Sequence, residues 1–355
     1  GEGKRREQGL GVMPKKGGKG GDKKGGKGGK GGKDEAVDVT VLIRKVKSEM
    51  ARVIADMGIA PELEIDKFLI SRIQEALSTS QTKLVFSGDK PSELGIQVLS
   101  QVLKTLTPAV TNIKAICFWK MVVGDAGLRD ICQNVLPMQK NEAAKYTGFN
   151  VLELMDCRVS PLSCAHIAQA LRTDIALQIL TLDFNPIGDE GVTTLGEGLR
   201  YNKELQVLNL CFCRIGPAGG AVIGDQIIRE SKLKKIRLPG NRIMEGGLQS
   251  IALNLGKTST LTELDVSDNS IGSVGGAITD LCEGLRVNTS LETVNLEYNV
   301  VGVPGALLLM ETLPMCSNLK VFKVSGQGIP ADMYKEVCMD GKGKKKGGKK
   351  GKKKK

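Results

Sequence analysis

The feature that most constrains the fold of this chain is a motif that returns at an almost constant spacing. The stretch Leu205 to Gly219 reads LQVLNLCFCRIGPAG, which follows the pattern L-x-x-L-x-L-x-x-C-x-I-G. The pattern recurs, mostly with Asn in place of the cysteine, at steps of 28, 28, 28, 28, 30 and 28 residues beginning from Cys157. Such a period predicts a solenoid in which each repeat is one supersecondary unit that packs on its neighbours.

One position in each repeat is predicted to hold neighbouring units together. We call it the ladder, and it comprises Cys157, Asn185, Cys213, Asn241, Asn269, Asn299 and Gln327. An asparagine side chain donates and accepts hydrogen bonds, so it can satisfy backbone groups buried between units. A cysteine donates weakly but packs well. This structural role argues against a metal site at Cys211 and Cys213.

Each repeat is predicted to contain a strand followed by a helix. The apolar run that contains the leucines is typical of a short strand. The second half, for example 191–202, has apolar residues at the three- and four-residue spacing of a helix. Two weaker units, built on Leu84 with Phe86 and on Ile116 with Phe118, precede the regular ones, so we expect about nine repeats. Strands pair at about 4.8 Å whereas helices pack about 10 Å apart, so stacked units should bend with the strands inside.

The 28-residue period and the L-x-x-L-x-L-x-x-N/C-x-I-G frame resemble the ribonuclease-inhibitor-like class of leucine-rich repeats. The resemblance covers roughly residues 81–335. It implies an α/β horseshoe with a parallel concave sheet and convex helices. It implies little about function, because one fold serves many unrelated activities.

The chain outside the repeats divides into a helical segment and two basic ends. Residues 34–80 are predicted to form helices that cap the first repeat. Residues 1–33 contain eleven Lys or Arg and three acids, and residues 341–355 contain ten Lys and no acid. Residues 34–340 hold 30 basic and 36 acidic side chains. Since segments with so few apolar residues cannot offset their ordering entropy, we predict disordered tails over 1–33 and 336–355.

No pattern in the sequence points to catalysis. The run Gly256-Lys257-Thr258 resembles the end of a phosphate-binding loop, but Ile251 stands where that loop requires its first glycine. His166 is the only histidine, and no nucleophile and base can be assigned around it. We therefore predict that the protein is not an enzyme and uses neither a cofactor nor a metal.

The side chains that alternate with the leucines are predicted to face the concave groove, because successive side chains of a strand point to opposite faces. This candidate partner-binding face comprises Trp119, Glu153, Met155, Thr181, Asp183, Asn209, Cys211, Arg237, Asp265, Asn295, Glu297 and Lys323. Two interpretations of Trp119 stay open, a binding anchor and a side chain packed on the cap. Beside the ladder, Phe184 and Phe212 favour packing at the repeat edge over a partner site.

The tails suggest a second kind of partner. They are rich in lysine and lack aromatic residues, so base stacking is unavailable and salt-sensitive charge neutralisation remains. We predict a scaffold whose horseshoe binds a protein and whose tails bind an acidic polymer, either the acidic tails of tubulin or a nucleic acid; an anionic membrane is a further candidate for the tails. The alternative is that the tails only solubilise the chain or fold back on its acidic body.

Ribonuclease-inhibitor-like repeats with lysine-rich ends resemble leucine-rich-repeat proteins of the ciliary axoneme, which implies microtubule binding in the cytoplasm or the cilium. One alternative is an RNA- or chromatin-associated nuclear protein. Another is a GTPase-activating protein similar to the Ran activator, whose C-terminus is acidic where this one is basic.

Nine cysteines without paired spacing are typical of a reducing compartment. No apolar run reaches the roughly 18 residues of a membrane span, and the start at Gly1 suggests a fragment or a processed product.

Overall fold

The structure is a computed structural model, and it describes residues 39–59, 65–79, 81–88, 93–106, 113–140, 146–173, 175–273 and 276–341. The helices are α1 (Val39–Asp56), α2 (Ile65–Ser78), α3 (Glu93–Leu106), α4 (Gly124–Asp130), α5 (Pro161–Leu171), α6 (Gly188–Leu199), α7 (Pro217–Val222), α8 (Met244–Leu255), α9 (Ala277–Val287), α10 (Gly302–Thr312) and α11 (Ala331–Val337). The strands are β1 (Lys83–Ser87), β2 (Ala115–Trp119), β3 (Gln139–Lys140), β4 (Tyr146–Thr147), β5 (Val151–Met155), β6 (Ile179–Thr181), β7 (Val207–Asn209), β8 (Lys235–Arg237), β9 (Glu263–Asp265), β10 (Thr293–Leu296), β11 (Val321–Val324) and β12 (Met339–Asp340).

The strands form one ten-stranded sheet in the order β1-β2-β5-β6-β7-β8-β9-β10-β11-β12, while β3 and β4 pair separately. The first nine strands of the sheet are parallel, and the register aligns equivalent residues of successive units, such as Leu180, Leu208 and Ile236. Because parallel neighbours need a crossover connection, a helical segment follows each of these strands. The predicted α/β repeat solenoid of about nine units is confirmed.

The leucine positions of the repeat form one continuous core between the sheet and the helices. Leu180, Leu208 and Ile236 of the strands are fully buried, as are Val192 and Leu195 of α6. Each such side chain contributes about 1.5–3 kcal/mol when it leaves water. The core therefore extends from unit to unit, and no single repeat could bury its apolar side alone.

Small residues let consecutive helices approach closely. Gly198 of α6 lies against the backbone of α5, and a Cβ atom added there would stand 2.6 Å from the Cα atom of Ala168. Real Cβ atoms do not come this close to a backbone, so this position requires glycine. The close approach keeps the helices in step with strands that lie only about 4.8 Å apart.

The ladder makes the hydrogen bonds that the repeat pattern predicts. Asn241 Oδ1 accepts from the backbone N–H groups of Cys213 at 2.9 Å and Ile215 at 3.0 Å. Its Nδ2 donates to the carbonyl oxygens of Leu210 at 2.8 Å and Leu238 at 2.7 Å. The buried amide thus satisfies backbone groups of its own unit and of the preceding one.

The two cysteines of the ladder use the same geometry with fewer bonds. The Cys157 thiol donates to the carbonyl of Phe118 at 3.1 Å, and the Cys213 thiol donates to that of Leu182 at 3.2 Å. Gln327 does not belong to the ladder, and its assignment there is wrong. Its side chain is exposed, and within the described residues it makes none of the bonds to the preceding unit that Asn299 makes.

A second asparagine ladder runs along the turns that lead from each helix to the next strand. Asn202 Nδ2 donates to the carbonyl of Leu171 at 2.9 Å, and its Oδ1 accepts from Leu205 N–H at 2.7 Å. Asn288 makes the equivalent bond to Leu255 at 2.6 Å. In the sequence, both turns are marked by the motif Leu-Arg-x-Asn, at 199–202 and 285–288.

The ends of the repeat array are covered in different ways. Helices α1 and α2 occupy the segment predicted as the cap, and α1 packs against α2 and α3 with a buried face. That face consists of Leu42, Val46, Met50 and Val53. No helix in the described part of the chain is long and apolar enough to cross a membrane.

At the other end, the boundary predicted at residue 336 is wrong. Helix α11 continues to Val337, which is fully buried, and β12 pairs antiparallel with β11. This short strand covers a sheet edge whose backbone groups would otherwise be unpaired. Residues up to 341 therefore belong to the folded body, and the predicted tail segments 1–33 and 342–355 lie outside the described residues.

Candidate protein-binding surface

The candidate residues lie on the face of the sheet opposite the helices, which we call the strand face. The third residue of each strand from β5 to β11 is the Cα partner of the third residue in the next strand, so one lateral row crosses the sheet. The row is Glu153, Thr181, Asn209, Arg237, Asp265, Asn295 and Lys323. The structure thus brings together side chains that lie 170 residues apart in the chain. Their role in binding a partner stays a prediction.

A second row of candidates follows at the ends of the strands. Trp119 of β2 and Met155 of β5 are paired in register, and the row continues with Asp183, Cys211 and Glu297. Trp119 is half-buried, and its indole N–H donates to Glu153 Oε2 at 3.1 Å. Of the two interpretations left open for Trp119, the structure shows a position on the strand face.

Sequence reasoning missed a third row, at the beginning of the strands. Ala115, Val151, Ile179 and Val207 are register partners and form an apolar segment that continues into Lys235. Val151, Ile179 and Val207 are only partly buried. Two-residue alternation extended back from the central row would have found them.

Most polar groups of the strand face bind one another. Glu263 accepts a hydrogen bond from Arg237 Nε at 2.8 Å and forms an ion pair with Lys235 at 2.8 Å. Burial opposes ionisation of Glu263, but these two cations hold its pKa below the ordinary value. Asp265 accepts hydrogen bonds from Ser267, at 2.7 Å from its hydroxyl. The centre of the face is therefore a preorganised polar network rather than a row of free charges.

Burial affects two polar side chains on this face. Burial raises the pKa of Asp183, although the backbone N–H of Cys211 donates to its carboxylate at 2.8 Å. Asn209 Nδ2 donates to Thr181 Oγ1 at 2.9 Å, while its buried Oδ1 has no hydrogen-bond partner. An unpaired buried acceptor is costly, so Asn209 lowers the stability of the chain at this position.

The thiols of the ladder and of Cys211 are protonated at neutral pH. Burial raises the pKa of Cys157 and of Cys213 to about 12. Burial and the Asp183 carboxylate also raise the pKa of Cys211. Since the thiolate is the nucleophile and the metal ligand, these residues are poor candidates for either role at neutral pH. Among the described residues, no group of three or more His, Cys, Asp or Glu could hold a metal ion.

Comparisons with known proteins agree with this architecture. A sequence model of the family described as Leucine Rich repeat matches residues 176–196, 258–277 and 287–310. The chain is 29% identical to "Ribonuclease inhibitor" of Sus scrofa over 257 residues, which is 72% of this chain and 48% of the relative. The chain thus spans about half the length of that relative.

Solved structures also resemble the chain. A tropomodulin C-terminal domain from Caenorhabditis elegans is 17% identical with a TM-score of 0.37, over 44% of this chain and 93% of the domain. An internalin from Listeria monocytogenes is 16% identical with a TM-score of 0.36, over 85% of this chain and 96% of the internalin.

Proposed function

The chain is a leucine-rich-repeat protein of the ribonuclease-inhibitor-like class, and from this premise we propose that it is a non-enzymatic scaffold whose strand face binds a protein partner. The observation that carries the proposal is the lateral register of polar and charged side chains from Glu153 to Lys323. Six gaps between the seven strands of this row, at about 4.8 Å each, give a surface roughly 29 Å long. A surface of this length can contact a folded domain.

The composition of the strand face supports a specific contact. The network around Arg237 and Glu263 is held in place before binding, so little side-chain entropy remains to be lost. Trp119 is held by Glu153 and remains partly exposed, as an anchor at one end of the face. The apolar segment at Val151, Ile179 and Val207 adds apolar surface, whose removal from water would favour binding.

The strand face can be tested by comparing two sets of substitutions in the full chain. The strand-face variant changes Glu153, Arg237 and Asp265 to Ala, and the control changes the exposed Glu190, Arg229 and Lys257 on the helix side. We expect proteins cross-linked to the wild type in cells to be retained by the control and lost from the strand-face variant, as read by mass spectrometry. Identical sets of cross-linked proteins for both variants would count against the strand face as a binding surface.

We propose further that the lysine-rich ends bind the acidic tails of tubulin, which would place the protein on axonemal microtubules in the cilium. Ten Lys in residues 341–355 and eleven Lys or Arg in residues 1–33 support an electrostatic contact. The test is co-sedimentation with microtubules before and after proteolytic removal of tubulin's acidic tails. Binding that is unchanged by the removal would refute this contact, and stronger binding to RNA than to microtubules would favour nucleic acid as the polymer.

A further inference from the structure

The turns that follow the strands share an unusual backbone conformation. In the seven units of β2 and β5 to β10, the residue immediately before the ladder position has a positive φ, and we call these residues the edge row. The edge row is Lys120, Asp156, Phe184, Phe212, Gly240, Asp268 and Tyr298, with φ between 50° and 71°. The conformation is imposed by the sheet, because each N–H still donates to the next unit, as Phe184 does to the Cys211 carbonyl at 2.8 Å.

Three aromatic members of the edge row, Phe184, Phe212 and Tyr298, do not fit this backbone, and two of them stand in neighbouring units. Gly and Asp tolerate positive φ, whereas a bulky side chain is disfavoured there. The neighbouring units use Asp156 and Gly240, so the turn itself does not require an aromatic residue. Phe184 and Phe212 are nevertheless 49% and 47% exposed, so burial in the core does not explain them either.

The two phenylalanines form one apolar surface. Their rings stack in parallel with centroids 4.9 Å apart and an interplanar angle of 6°. The Phe212 ring also lies against the backbone of Gly240, where an added Cβ atom would overlap it. The predicted packing at the repeat edge is therefore present, but it leaves about half of each ring in contact with water.

Three arginines follow edge-row positions in the same region of the repeats. Arg158, Arg214 and Arg242 each stand two residues after an edge-row position and are exposed. Within the part of the chain that the structure describes, none of their guanidinium groups lies in an ion pair. We call the set of Phe184, Phe212, Arg158, Arg214 and Arg242 the aromatic edge patch. It combines an apolar centre with three arginines, while the edge row also places the exposed Asp156 and Asp268 in the units on either side.

Charge and ring geometry select among the possible occupants of the patch. The chain's own ends are rich in lysine and would be repelled by the arginines. Nucleic acid would need free ring faces on which bases could stack. Phe184 covers one side of the Phe212 ring and Gly240 lies against it as well, so ring edges are the main exposed part of that residue. A polypeptide with an apolar side chain flanked by carboxylates fits both the ring edges and the arginines.

We propose that the aromatic edge patch is a second docking surface, which binds an acidic polypeptide segment through a central aromatic or aliphatic side chain. The proposal rests on the proposed function as a protein-binding scaffold. It adds a surface at the carboxyl ends of the strands that is separate from the strand face, and it specifies the chemistry of the partner.

The test is selection of phage-displayed random peptides on the full chain, followed by fluorescence anisotropy with the selected peptides. We expect peptides with Asp or Glu around an aromatic or aliphatic residue. Replacing Phe184 and Phe212 by Gly, which is the native residue at position 240, should weaken their binding at least about tenfold, the loss typical of a central anchor. Replacing the exposed Arg214 by Glu should weaken it by a similar factor.

The matched control is Tyr298→Gly, which removes an exposed aromatic residue with the same backbone conformation three units away and should leave the peptides' affinity unchanged. Selected peptides that are basic, or that bind all variants equally, would overturn the proposal. Peptides lost only from the strand-face variant would overturn it while leaving the proposed function intact, and failure to select any peptide would count against both. Phenylalanine-dependent binding of single-stranded RNA, or a dimer that dissociates in the Phe184 and Phe212 variant, would assign the patch to a different occupant.

Discussion

At the scale of single residues, the stability of the array depends on polar side chains that no solvent reaches. Each buried asparagine of the ladder binds backbone groups of two units, as Asn299 does for Asn269 N–H at 2.9 Å and the Val266 carbonyl at 2.9 Å. A loop that connects a strand to a helix inside the protein cannot otherwise satisfy these groups. The ladder therefore couples the units, and a defect in it should be felt beyond its own repeat.

We predict that Asn241→Ala lowers the free energy of unfolding by at least about 1–3 kcal/mol, since it leaves Cys213, Ile215 and Leu210 backbone groups buried without a partner. The measurement is the midpoint of urea denaturation followed by circular dichroism. Gln327→Ala is the control, and its exposed side chain should change the value by no more than about 0.5 kcal/mol. Equal midpoints for Asn241→Ala and the wild type would mean that the ladder is not a main source of stability.

The buried thiols predict how stability depends on pH. Burial raises the pKa of Cys213 from 9.0 to about 12, so between these values the unfolded chain loses a proton that the folded chain keeps. Stability from this group is complete below pH 9.0 and is lost as the pH rises toward about 12. Cys213→Ser keeps a donor for the Leu182 carbonyl but removes this titration. Urea midpoints from neutral pH to about pH 11 should fall less steeply for Cys213→Ser than for the wild type.

At the scale of elements, the sequence predicts the strands of the regular repeats better than it predicts the last elements of the chain. The leucine spacing predicted the register of the parallel strands, because a shift of one residue would turn every leucine away from the core. It did not predict the start of each strand, and so it missed Val151 and Ile179. The left-handed backbone of Phe184 and Phe212 was not predicted either. Positive φ is usually signalled by Gly, Asn or Asp, and phenylalanine gives no such signal.

The C-terminal boundary was missed for a different reason. Val337 and Met339 stand directly before the lysine-rich run, so their apolar character was masked by the composition around them. In three dimensions the strand β12 covers the edge of β11, and Val337 packs into the core. The short antiparallel strand β12 ends the sheet and does not begin another repeat.

This view predicts different effects for two truncations. A chain that ends at Gly341 should keep the stability of the full chain. A chain that ends at Lys335 loses β12 and the buried Val337, and we expect its free energy of unfolding to fall by about 1.5–3 kcal/mol from the lost valine alone. Urea denaturation of both chains measures the difference, and equal stability would mean that residues 336–341 do not support the last repeat.

At the scale of the whole molecule, charge and fold are separated along the chain. Residues 34–340 carry an excess of acidic side chains, 36 against 30 basic ones, whereas the basic excess lies entirely in the two ends. The rows of the strand face and the aromatic edge patch lie within residues 39–341. Binding of a protein to the folded body and binding of an acidic polymer to the ends should therefore be independent, which is the property that a scaffold requires.

If the folded body and the basic ends bind independently, removing one end should affect only one kind of binding. Removing residues 342–355, which hold ten lysines, should weaken microtubule binding and flatten its dependence on salt, because fewer counterions are then released. The slope of the logarithm of affinity against the logarithm of salt concentration, measured by co-sedimentation, reports the number of lysines in contact. Affinity of the selected acidic peptides should stay the same in the truncated chain, since their proposed site lies between Arg158 and Arg242. A loss of peptide binding on truncation would show that the ends and the folded body act as one site, and the separation of the two functions would have to be abandoned.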